Sequence, residues 1–124
     1  MGLGRPMSCV EELLKTVARE VEPEIQSRLR GFFGGMIRAY LPQTWVFRTE
    51  DGTASFHVSS EGAVSVSAGA VTPADVTIEV GHERLRVALT TRRKESVPPG
   101  PLTVTPHTSK GSAAFSYLRD RLGL

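Results

Sequence analysis

Residues 43–80 read QTWVFRTEDGTASFHVSSEGAVSVSAGAVTPADVTIEV, and their periodicity decides the fold. Four segments alternate apolar with polar or small residues, separated by glycine or proline. Trp45 and Phe47 share one face of the first segment, with Val46 and Arg48 opposite. Ala54, Phe56 and Val58 oppose Ser55, His57 and Ser59 in the second. Val64, Val66 and Ala68 oppose Ser65 and Ser67 in the third, and Val76, Ile78 and Val80 oppose Asp75, Thr77 and Glu79 in the fourth. A period of two sends successive side chains to opposite faces, so each segment predicts a strand buried on one side. The sheet they form has one apolar face that needs a cover and one face, rich in Ser and Thr, suited to water.

The flanking segments supply the cover. Ser8 and Glu11 have the spacing of a capping box, and Val10, Leu13, Leu14, Val17 and Val21 then form one helical stripe. Pro23 predicts a break or sharp kink in this helical region, 8–41, because its ring removes a hydrogen bond and crowds the preceding turn. The stripe resumes with Ile25, Leu29, Phe32, Phe33, Met36, Ile37 and Tyr40 until Leu41-Pro42 stops it. Gly34-Gly35 within it costs about 2 kcal/mol relative to alanines. Beyond the four strands, His82 to Thr90 predicts a short helix, and RRKESVPPGP at 92–101 an irregular connection. Leu102 and Val104 alternate with Thr103 and Thr105 as a fifth strand. Thr108-Ser109-Lys110-Gly111 predicts a turn, and Ser112 to Leu122 a last amphipathic helix carrying Ala114, Phe115, Leu118 and Leu122.

The 124 residues predict one domain, 1–124, with residues 1–7 a flexible tail, 8–41 helical, and 43–124 carrying the sheet and remaining helices. With 40% hydrophobic and 23% charged residues, the composition is that of a soluble globular protein. No apolar run approaches the roughly 20 residues of a membrane span, and the start does not read as a secretory signal, so a cytoplasmic location is expected. The single cysteine, Cys9, excludes an internal disulfide and a multi-cysteine metal site. A net charge of +2 permits transient contact with anionic membranes without demanding it.

Catalytic signatures are missing. His57 falls on the polar face, as a solvated side chain. His82 and Glu83 open a helix, but Arg86 stands where a zinc protease needs its second histidine. His107 follows Pro106 in a loop with no partner legible in the sequence. Neither a phosphate-binding loop nor a nucleophile elbow is present. No enzyme activity, metal or cofactor is expected. Arg84, Arg86, Arg92, Arg93 and Lys94 cluster, but without the interleaved aromatics that stack bases, so nucleic acid is not an expected partner.

The order of elements, ADVTIEV at 74–80, GHERLRVALT at 81–90, the strand led by Gly100 with Leu102 and Val104, and Trp45 in an early strand resemble the sterol carrier protein type 2 domain. The resemblance covers residues 29–124. The linker TTRRKESVPPG departs from the helical stretch often found in that family, and Pro106-His107 from its second glycine turn. The resemblance implies an α+β fold, a five-stranded mostly antiparallel sheet with one face covered by helices. It also implies an apolar tunnel between sheet and helices for a fatty acyl chain, sterol or related lipid, held without catalysis by an intracellular carrier or presenter. The residues expected to line it are Phe32, Phe33, Met36, Trp45, Phe47, Phe56, Leu85, Leu89, Phe115 and Leu118. A pocket of about 300 Å³ left empty would cost on the order of 7 kcal/mol, so a ligand fills it or the helices close on the sheet. The alternative is an interaction or accessory module that docks a protein in the same groove. Oligomeric state is left open.

Overall fold

The computed structural model describes residues 9–31, 38–91 and 102–122. In chain order these form α1 (Cys9–Leu29), β1 (Gln43–Thr49), β2 (Gly52–Val58), β3 (Val64–Ala68), β4 (Val76–Val80), α2 (His82–Thr91), β5 (Leu102–Pro106) and α3 (Ser109–Leu122). The fold is α+β. The five strands lie in the order β3-β2-β1-β4-β5. All neighbouring pairs are antiparallel except β1 and β4, which run parallel. The hairpins place β2 and β3 on one side of β1; the returning chain then crosses to the other side, where β4 runs in the same direction as β1.

The register confirms the faces read from the sequence. Trp45 sits between Phe56 and Val76, and Phe47 between Ala54 and Ile78; Val104 extends the second row beyond Ile78. On the opposite face Val46 sits between Ser55 and Thr77, and His57 between Thr44 and Ser65.

Helix α1 packs against β2 and β3. It buries Val10, Leu14 and Val17 in one cluster with Trp45, Phe47, Ile78, Leu85 and their neighbours, while Leu13 and Val21 pack at its edge. The break expected at Pro23 does not occur: α1 continues as α-helix to Leu29. The stripe explains this. Val17 and Val21 precede the proline on the packed side, and Leu29, on the far side of it, is also buried. Tertiary packing supplies most helix stability in proteins and here outweighs a penalty of roughly 3 kcal/mol. Gly62 marks the closeness of the approach. It has φ of +85°, and a Cβ there would lie 2.7 Å from Leu29 Cδ1.

The β1–β2 turn caps two helices at once. Val10 N–H donates to Asp51 Oδ2 at 3.3 Å, serving the first turn of α1. His82 N–H donates to Glu50 Oε1 at 2.7 Å, at the start of α2. Both acceptors satisfy amides that a helix leaves unpaired, and both place negative charge at the positive end of a helix. A third carboxylate, Glu22 on α1, accepts from Val64 N–H at 2.8 Å and ties the helix to β3. Ser8 of the expected capping box, the tail, the Gly34-Gly35 pair and the 92–101 connection lie outside the described residues.

The turn expected at 108–111 is instead the start of α3. Gly111 N–H donates to Thr108 Oγ1 at 2.9 Å, which makes Thr108 the N-cap. Ser112 N–H closes the first helical turn on Thr108 O at 3.0 Å. Lys-Gly resembles a turn locally, but Gly111 is there for proximity: a Cβ on it would lie 2.3 Å from the Asp75 carbonyl oxygen.

Candidate ligand-binding faces

The helix-covered face brings together several of the residues read from the sequence. Trp45, Phe47, Leu85 and Leu89 are buried in one cluster, and Phe56 and Phe115 are half-buried against it. Trp45 stands at the centre of this face, with ring centroids 5.8 Å from Phe115 and 6.4 Å from Phe47. Its indole N–H donates to Gln43 Oε1 at 2.8 Å. Gln43, itself buried, donates through Nε2 to Tyr40 O at 2.7 Å and to Lys110 O at 3.0 Å. The indole is thus chained to the first turn of α3. Toward β5 the cover thins: Leu102, Val104, Ala114 and Phe115 are only partly buried. Phe32, Phe33 and Met36 lie outside the described residues, as do Arg92, Arg93 and Lys94; Leu118 falls within α3, with its side chain outside the description.

Asp75 stitches the start of α3 to the sheet. Its Oδ2 accepts from Thr44 N–H at 2.9 Å, and its Oδ1 accepts from the Thr108 hydroxyl at 2.8 Å. Lys110 Nζ lies 3.9 Å from Oδ1 and donates to Pro42 O at 2.6 Å. The backbone of Asp75 donates to Thr44 O at 2.7 Å and accepts from His107 N–H at 2.8 Å. One buried carboxylate therefore joins β1, β4 and the cap of α3. Sequence reading placed Asp75 on the polar face of a strand; its role depends on partners 31 and 33 residues away along the chain.

The polar face departs from the sequence reading. Part of it is dry: Val46 and Ser55 are each 2% exposed. The segment from Gly69 to Asp75 folds back over Ser55. Ser55 Oγ donates to Gly69 O at 2.7 Å and accepts from Val71 N–H at 2.9 Å, which pins the segment down. Between this segment, the sheet and the start of α3 lies a groove of about 650 Å³. Thr44, Ser55 and Asp75 form its buried floor, and Ser65, Ser67, Val71 to Pro73 and Thr108 its exposed rim. His57, expected to be solvated, is half-buried in the wall, with Nδ1 2.8 Å from Thr44 Oγ1. His107 also finds a partner, with Nε2 2.8 Å from Thr77 Oγ1.

The basic cluster read around residue 84 is partly neutralised. On the solvent side of α2, Arg86 is bonded to Glu83. That hydrogen bond holds the Glu83 carboxyl below its ordinary range and raises the guanidinium of Arg86. No group of three metal-ligating side chains occurs among the described residues, and no described helix is long and apolar enough to cross a membrane.

No family model matches the chain, and no curated protein matches it. Solved structures similar to this chain include two of the same domain size. One is a UbiJ-SCP2 ubiquinone synthesis protein, 17% identical, covering 84% of this chain and 96% of its own, with a TM-score of 0.48. The other is sterol carrier protein 2 from Yarrowia lipolytica in its apo form, 10% identical, covering 93% of this chain and 91% of its own, with a TM-score of 0.43.

Proposed function

We propose that the protein binds an apolar ligand, a fatty acyl chain, sterol or related lipid, between the sheet and its helices, as a non-catalytic carrier or presenter in the cytoplasm. The observation that carries this reading is the thin cover beside Trp45. Phe115 on α3 and Leu102 and Val104 on β5 stay partly exposed at the β5 edge of an apolar face whose centre, at Trp45, Phe47 and Ile78, is buried. An apolar chain inserted there gains burial for itself and for these side chains, at roughly 25 cal/mol per Å². Helix α3 is the movable element in this proposal, anchored to the sheet at its first turn by Thr108, Gly111 and Lys110. Phe32, Phe33, Met36 and Leu118 complete the lining in this proposal, and the lipid's polar end faces Arg92 and Arg93.

Native mass spectrometry of the freshly purified protein, followed by titration with fluorescent fatty acids and sterols, tests the reading. A co-purifying lipid, or saturable binding that quenches or shifts Trp45 emission and weakens in Phe115→Asp, is expected. Absence of both a bound lipid and any binding across the panel would overturn it and leave a protein-docking module.

A further inference from the structure

We propose that the groove on the open face of the sheet is a second binding site, for a small anion carrying a phosphate or carboxylate group. It lies on the side of the sheet away from the lipid-binding reading and stands independently of it.

The volume, about 650 Å³, falls within the range of small-molecule pockets, about 300–1,000 Å³. The selectivity follows from which groups still have hydrogen-bonding capacity. The titratable side chains of the lining are His57, Asp75 and Lys110. Asp75 is the single acid, and it is engaged: Thr44 N–H holds one oxygen, and the Thr108 hydroxyl holds the other with Lys110 nearby. What remains is rich in donors. Lys110 carries three N–H bonds, and Pro42 O is the hydrogen-bond acceptor it meets, at 2.6 Å. His57 is bonded at Nδ1 to the Thr44 hydroxyl. Nε2, the other ring nitrogen, is the one that a ligand can meet. The hydroxyls of Ser65, Ser67 and Thr72 stand around the rim.

A lysine, an imidazole ring with Nδ1 held by Thr44 and several hydroxyls lining one hollow match a group that accepts several hydrogen bonds and carries negative charge. The arrangement is also held in place. Lys110 is fixed by Pro42 O and Asp75, His57 by Thr44, and the far wall by the two bonds of Ser55. This limits the conformational entropy lost when a ligand binds.

The test is a titration of the full-length, isotope-labelled protein with inorganic phosphate and with acetate, at constant ionic strength against chloride, followed by amide chemical shifts. Saturable shifts centred on His57, Ser65, Ser67, Thr72 and Lys110 are expected with phosphate, acetate or both, and not with chloride. Whichever binds identifies the favoured anionic group. His57→Ala and Lys110→Met should each weaken binding about tenfold, the worth of one charge-assisted hydrogen bond, with Trp45 emission unchanged as the check on folding. If Lys110→Met does not fold, His57→Ala decides the matter. Shifts linear in concentration, shifts reproduced by chloride, or affinity unchanged in His57→Ala would overturn the proposal. Lipid titration of His57→Ala separates the two sites, because its lipid binding should be that of the unmodified protein whatever happens to the anion.

Discussion

Replacing Asp75 with alanine is expected to destabilise the fold far more than its place on the polar face of a strand suggests. The carboxylate accepts from Thr44 N–H at 2.9 Å and from the Thr108 hydroxyl at 2.8 Å, and Asp75 is only 8% exposed. Removing it strands the buried amide of Thr44, at a cost of about 1–3 kcal/mol, and deletes a hydrogen bond to a charged group worth roughly 1.5–3 kcal/mol. The pairing with Lys110 adds little, since that side chain is 36% exposed and the pair is separated by 3.9 Å. The total is about 2.5–6 kcal/mol, a large share of the roughly 5–15 kcal/mol that holds a domain together. Urea unfolding followed by Trp45 fluorescence measures it directly, because the only tryptophan of the chain is linked through Gln43 to the helix that Asp75 anchors. Thr108→Val should cost less in the Asp75→Ala background than alone, by about 0.5 kcal/mol or more, as expected for residues that share a bond. A loss below about 1 kcal/mol, well under the cost of the buried amide alone, or strict additivity of the two changes, would refute the idea that this carboxylate joins α3 to the sheet.

Three further changes probe the packing. Gly111→Ala should destabilise by about 1–3 kcal/mol through overpacking against the Asp75 carbonyl, although helix propensity alone favours alanine by about 1 kcal/mol; a gain in urea midpoint would show that α3 docks differently. Pro23→Ala should stabilise by about 1–3 kcal/mol, because α1 runs through this position and recovers a hydrogen bond; no gain would mean that the helix at Pro23 already compensates for the missing amide. Phe47→Ala should cost about 3–5 kcal/mol as a buried aromatic, and a cost under about 1 kcal/mol would place the ring at the mouth of a cavity rather than in the core.

The strands were legible from residues alone because a period of two is a local property. Trp45, Phe47, Ala54, Val76 and Ile78 share the core that their alternation predicts. The strand at 102–106 was legible for the same reason, and the short helix at 82–91 because its period of 3.6 is local as well. The expected ligand-lining residues were legible as apolar positions, and the structure gathers Trp45, Phe47, Phe56, Leu85, Leu89 and Phe115 around one cluster. What only the tertiary structure decided depends on groups distant in the chain. Pro23 reads as a breaker until the packed stripe on both sides of it is counted. Thr108 to Gly111 reads as a turn until Asp75 is seen to hold the cap. Glu50 and Asp51 read as ordinary hairpin polarity, yet they cap helices 32 and 41 residues away in sequence. His57 reads as solvated because nothing in its own strand shows that the 69–75 segment returns over that face, pinned by Ser55. Periodicity assigns a side chain to a face, but what covers that face is settled by long-range hydrogen bonds and close approach, which single-strand patterns do not encode.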